Sequence, residues 1–145
     1  SHDNFGEDLL INPKDGGIYY WDQSNGLTTR AVDIAGSTYT TVAIDPPTIA
    51  KQVLVSDNSR HVIAFGVNTL GSGTQDPLLI RFSSQESFLD WSPLPTNTAG
   101  DLRIGSGSTF IRALETKREI LVWTNSSLHT MQYLGAPYVF GIQPL

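Results

Sequence analysis

The chemistry-bearing groups of this 145-residue chain are three histidines, fourteen acidic side chains and a set of hydroxyl-rich turns. His2, His61 and His129 stand far apart, with no Gly-x-Ser-x-Gly elbow or other triad context near them. No His-x-x-x-His or His-Glu-x-x-His spacing exists, so a zinc hydrolase is not expected. His61 opens an apolar run and reads as a turn-facing histidine. His129 alternates with Leu128 and Thr130 and reads as a sheet-face residue. The chain has no cysteine, which excludes disulfides, cysteine-ligated zinc, iron–sulfur clusters and thiol catalysis.

Asp22, Asp45, Asp57, Glu86 and Asp90 are the candidates for a glycosidase pair, which needs two carboxyl groups about 5–9 Å apart. Most of them stand beside Asn, Ser, Gly or Pro, where an aspartate caps its own turn, so turn duty is expected. The Ser-x-Asp-x-Gly-x-Thr-Trp box of sialidase-type propellers is missing. The run Asp22-Gln23-Ser24-Asn25-Gly26 has the oxygen-rich look of a calcium loop, yet it lacks the alternating acids and the later Glu. Asn25-Gly26 as a hairpin turn accounts for it. Gly71-Ser72-Gly73 and Gly105-Ser106-Gly107 are not followed by Lys-Ser/Thr and read as loops rather than phosphate cradles. Asn125-Ser126-Ser127 is a formal glycosylation sequon, without meaning in a protein made in bacteria. The expectation is therefore no catalytic, cofactor-binding or metal-ligating residue, no cofactor and no enzyme.

The aromatics carry a different signal. Trp21, Phe82 and Trp123 occupy similar places in the strand pattern and are expected to fill space between neighbouring sheets, since aromatic side chains bury large areas. Trp91, with Phe88, is expected to pin the loop after Phe82 to its sheet.

Composition bounds what positions these residues. Charged side chains make up 16%, below the roughly 25% of soluble domains, while Gly (13) and Pro (8) are frequent. That suits turn-rich β structure and disfavours long helices. A net charge of −5 argues against a nucleic-acid module held by a basic stripe. No apolar run approaches the ~18 residues of a membrane span, and Ser1-His2-Asp3-Asn4-Phe5 lacks the regions of a signal peptide. With no initiator Met, the chain is expected to be processed or cut from something longer.

Short branched and aromatic runs, as strands prefer, alternate with turn clusters. Strands are predicted at 8–12, 18–21, 28–34, 39–44, 52–55, 61–65, 78–82, 102–104, 110–114, 119–123, 128–133 and 138–142, and one helical turn over 85–91. Between Phe110 and Trp123 a helix over 113–121 competes, but the charged turn Glu115-Thr116-Lys117-Arg118 favours a hairpin. Asp8-Leu9-Leu10-Ile11, His61-Val62-Ile63-Ala64 and Glu119-Ile120-Leu121-Val122 recur at spacings of 53 and 58. This predicts antiparallel four-stranded, blade-like units at about 8–44, 50–106 and 109–145, the first lacking its first strand. Four-stranded units in series are a propeller signature. The fold is read as all-β, a partial β-propeller of about two and three-quarter blades, with a β-sandwich as the alternative.

Several segments carry a family resemblance. They are Asp3-Asn4-Phe5-Gly6-Glu7-Asp8-Leu9-Leu10 with Gly17-Ile18-Tyr19-Tyr20-Trp21, then Asp76-Pro77-Leu78-Leu79-Ile80-Arg81-Phe82-Ser83-Ser84-Gln85-Glu86 with Asp90-Trp91-Ser92-Pro93. Asn97-Thr98-Ala99-Gly100-Asp101-Leu102-Arg103, Glu119-Ile120-Leu121-Val122-Trp123-Thr124, Met131-Gln132-Tyr133 and Pro137-Tyr138-Val139-Phe140-Gly141 complete the set. These resemble virion structural proteins of tailed, short-tailed bacteriophages, of the tail-nozzle, tail-tip and DNA-stabilisation type. The resemblance spans nearly the whole chain. It implies a β-propeller platform assembled as a ring around the DNA exit channel, without catalytic residues. It also implies an internal piece of a longer chain, made in the bacterial cytoplasm and carried in the phage tail. Expected partners are other copies of itself and neighbouring tail proteins, met through the loops 70–75 (Gly71, Gly73) and 88–97 (Phe88, Asn97), with DNA only passing nearby. A carbohydrate-binding or glycan-cleaving tail module for host recognition is the alternative. A WD-like scaffold is a weaker option, since only Trp21-Asp22 matches its repeated pair.

Overall fold

A computed structural model describes residues 1–36, 43–57, 59–135 and 139–145. Twelve strands occur among them. They are β1 (His2–Phe5), β2 (Asp8–Ile11), β3 (Tyr19–Trp21), β4 (Val32–Asp33), β5 (Gln52–Val55) and β6 (Val62–Phe65), then β7 (Leu79–Phe82), β8 (Gly100–Arg103), β9 (Phe110–Glu115), β10 (Ile120–Thr124), β11 (Leu128–Gly135) and β12 (Val139–Pro144). They form three four-stranded antiparallel sheets, β1-β2-β3-β4, β5-β6-β7-β8 and β9-β10-β11-β12, each a simple meander. The fold is thus all-β with three sheets, not the two of a sandwich.

Three features depart from the sequence reading. The first sheet is complete: its first strand is the polar segment His2–Phe5, which pairs with β2 through a turn at Gly6, φ 65°. Nothing in its composition marks a strand, because one neighbour supplies the ladder and the other edge is polar. The predicted strand 28–34 contracts to Val32–Asp33. The helical turn predicted over 85–91 is instead an irregular connection, with Glu86 at φ 61°, and the described residues contain only a 3-10 turn at Gln23–Asn25. The predicted strand 39–44 is described only from Ala43 onward, and Tyr138 and Pro137 lie outside the described residues. The hairpin over the charged turn, by contrast, forms as β9–β10, not as a helix.

Period-2 alternation decides where each side chain goes. Along β5 and β6, Val53, Val55, Val62 and Ala64 face one way; Leu54, Ile63 and Phe65 face the other. The first set packs with Leu10, Ile18, Tyr20 and Ile34 of the first sheet. The second packs with Phe110, Ile120, Val122 and Met131 of the third. The middle sheet is therefore buried on both faces along β5 to β7, where all four residues of β6 and of β7 are buried, while β8 is half exposed. This explains why its strands read as continuous apolar runs. Phe65 stacks on Phe110 with centroids 5.0 Å apart, and the Phe82 ring lies over Gly100 across the β7–β8 pair, where a Cβ would come within 2.9 Å of it.

Among the described residues Arg81 is the one charged side chain buried between the first and second sheets. Its guanidinium donates to the carbonyls of Asp45 (2.6 Å) and Trp91 (3.0 Å). The connection from β7 to β8 folds back over the first sheet: Trp91 is fully buried, and Phe88 stacks on Tyr20 at 4.0 Å. No helix of the described residues is long and apolar enough to cross a membrane.

Phe65 touches the core from the middle layer, so Phe65→Ala should lower unfolding free energy by about 3–5 kcal/mol in urea titrations. Leu94→Ala, at a 52% exposed position, should change it by less than about 0.5 kcal/mol.

Candidate functional site

Every second residue of an antiparallel edge strand points its N–H and C=O away from the ladder. Ser1 and Asn12 exchange backbone bonds of 2.6 and 2.7 Å, which turns the backbone groups of His2 and Asn4 to the free edge of β1. The same phase on β5 exposes Val53 and Val55. Their N–H groups donate to Ser1 Oγ (2.9 Å) and Asp3 Oδ2 (2.8 Å). On β9 it exposes Ala113, whose N–H and C=O meet Oε1 and Nε2 of Gln52, both at 2.9 Å. The first strands of the three sheets are thus laced side by side, and the edges of β5 and β9, which would otherwise recruit foreign strands, gain partners there.

A groove of about 380 Å³ opens along this seam, lined among others by Ser1, His2, Asp3, Gln52, Arg112 and Glu115. Glu115 accepts the Asp57 N–H at 2.9 Å. Burial pushes its carboxyl up to about 7; the Asp57 N–H bond opposes this, and the charges of Asp57 and Asp3 add to it. Arg112 is exposed and makes no hydrogen bond or ion pair with a described residue. The seam offers carboxylates, one guanidinium and free backbone edge. It holds no hydroxyl or histidine arranged as nucleophile and base.

The residues singled out from sequence are dispersed. Phe82 and Trp91 are buried between sheets, Phe82 in the second-to-third layer and Trp91 in the first-to-second. Trp21 and Trp123 are half-buried and belong to neither core. The three aromatics do not occupy equivalent places: Trp21 lies on a third strand, Phe82 on a third strand facing the other way, and Trp123 on a second strand. Phe88 is held inward, and Asn97 is used within its own loop, its amide donating to Asp90 Oδ2 (3.1 Å) and the Ser92 carbonyl (2.8 Å). Gly71 and Gly73 face open space.

Asp22 caps the 3-10 turn, accepting from the Ser24 N–H (2.9 Å) and Oγ (2.7 Å), which lowers its pKa. Asp45 and Glu86 hold left-handed turn conformations, φ 53° and 61°, and Glu86 pairs with Arg60 at 3.6 Å. Asp57 lies between β5 and β6, and Asp90 in the β7–β8 connection. Among the described residues no three His, Asp or Glu side chains gather as a metal site. The Asn125 side chain of the sequon bonds Ser108, accepting its N–H and donating to its Oγ.

His61 meets the turn before it through Ser59 and lies in the interior. It is fully buried, with Nδ1 2.8 Å from Ser59 Oγ and Nε2 3.1 Å from Thr98 Oγ1, edge-on to Phe140 at 5.0 Å. Burial lowers its pKa to about 4. His129 is buried on the inner face of β11, with Nε2 2.9 Å from Ser127 Oγ. The seam residues Ser1, Asp3, Gln52, Arg112 and Glu115 carry no local motif. Only the register of separate sheets brings them together. Set against profiles of known families, curated proteins and solved structures, the chain matches none.

Two titrations of opposite sign follow. The folded pKa of His61 lies below its unfolded value of about 6.5, so its contribution is complete above pH 6.5 and is lost as pH falls toward 4. The loss is at most about 3 kcal/mol, and His61→Phe should flatten that limb of a stability–pH curve. Glu115 is raised, so its contribution is complete below its ordinary value of 4.5 and is lost as pH rises through about 7. Glu115→Gln should flatten that opposite limb, leaving the His61 limb in place.

Proposed function

We propose that the chain is a structural, non-enzymatic part of a tailed-bacteriophage virion. In this reading the three sheets are consecutive blades of a β-propeller, in a ring-like platform around the DNA exit channel of the tail. The observation that carries it is the lacing of β1, β5 and β9: three meanders stack in the same strand order, and their first strands meet along one groove. Blades around a channel place their first strands in this way. The sequence resemblance supplies the phage assignment.

The groove is the channel-facing wall. Asp3 and Glu115 face it together with Arg112, and the chain's net charge of −5 disfavours a grip on passing phosphate. Partners are further copies and neighbouring tail proteins, met through the end faces and the loop around Gly71 and Gly73. Synthesis is in the bacterial cytoplasm and the final location is the particle.

A second reading draws on the half-exposed Trp21 and Trp123, which present indole faces on which sugar rings stack. It makes the chain a glycan-binding tail module.

Antibody–gold labelling of purified phage particles should place the chain at the tail or the head-to-tail junction; particles without label would reject the virion assignment. On a glycan array the first reading expects no binding. Binding that Trp21→Ala weakens tenfold or more would favour the second.

A further inference from the structure

Superposing the three meanders by register sets Ser1, Gln52 and Arg112 at one place, and His2, Val53 and Ala113 at the next. At both internal seams the first of these side chains reaches the edge backbone of the second on the following sheet: Ser1 to Val53, Gln52 to Ala113. Arg112 is the third member of the series and has nothing to reach among the described residues. His2 is the third acceptor place, and its edge backbone is free.

The end faces repeat this mismatch in volume. On the face each sheet turns toward the next one, Tyr20 and Phe82 occupy the same place on the third strand, while the third sheet carries Thr130. A depression of about 210 Å³ lies beside it, lined by Gln132, Leu134 and Gly141 among others. On the opposite face of the first sheet, Trp21 stands where the second sheet has Ser83 and the third Met131. The side chain that is too small at one end of the stack is balanced by one that is too large at the other.

We infer that the outer face of the third sheet, around Leu121, Trp123 and Leu134, receives the outer face of the first sheet of a second copy, around Leu9, Ile11 and Trp21, with Arg112 donating to the second copy's His2 carbonyl. The contact is head to tail, and two copies bring six sheets together, within the four to eight of closed propellers. Arginine suits this place because it only donates, and the free carbonyl at His2 only accepts. The inference rests on the propeller reading above.

Light scattering of the purified chain should give twice 15.8 kDa. Leu134→Asp and Arg112→Glu, both at exposed positions, should halve that mass with unchanged far-UV circular dichroism. A monomeric chain, or a dimer that neither substitution disturbs, overturns the pairing. None of these outcomes alters where gold label falls on a particle, so the two readings fail separately.

Discussion

The strands β5, β6 and β7 of the middle sheet have water on neither face, and the rest of the structure depends on that. A four-stranded sheet of four-residue strands is thin, and one such sheet cannot shield two apolar surfaces alone. Val53, Val55, Val62 and Ala64 need the first sheet; Leu54, Ile63 and Phe65 need the third. Burying about 25 cal/mol per Å² on both sides is what holds three local meanders together, since few backbone bonds join one sheet to another. The exceptions, Gly16–Ala50 among them, lie in connections.

Layering has a consequence for polar groups. Each sheet ends on a first strand whose edge must be satisfied at a place where the next sheet arrives. The fold meets this with side chains that act as backbone mimics: Ser1, Asp3 and Gln52 supply the bonds a neighbouring strand would make. They fix the spacing of the first strands without fusing the sheets into one ladder. Arg81 does comparable work inside the first layer, where its guanidinium satisfies two carbonyls of loops that would otherwise be buried unpaired.

His61 and Glu115 show how the same packing handles ionisable groups. His61 is kept neutral between Ser59 and Thr98, so two hydroxyl partners replace water without adding charge. Glu115 is partly sheltered beside Asp57 and Asp3, which makes its charge costly near neutrality. One group favours the folded state at higher pH and the other at lower pH, which leaves the fold most stable over a restricted range.

Most of the β architecture was legible in the residues. Branched and aromatic runs bounded by Gly, Asn-Gly and charged turns name nearly every strand, because strand propensity and turn chemistry act within a few residues. The doubled apolar runs 52–55, 61–65 and 78–82 already imply a sheet covered on both faces. What residues alone left out has a different physical origin. His2–Phe5 is a strand because β2 offers it a ladder, not because its own side chains prefer one. The stretch 85–91 is irregular because Trp91 and Phe88 are drawn onto the first sheet. Trp21 and Trp123 lie outside the cores because the alternation on their strands points them outward. The seam of Ser1, Asp3, Gln52, Arg112 and Glu115 joins positions up to more than a hundred residues apart, and only the packing of whole sheets sets such a distance.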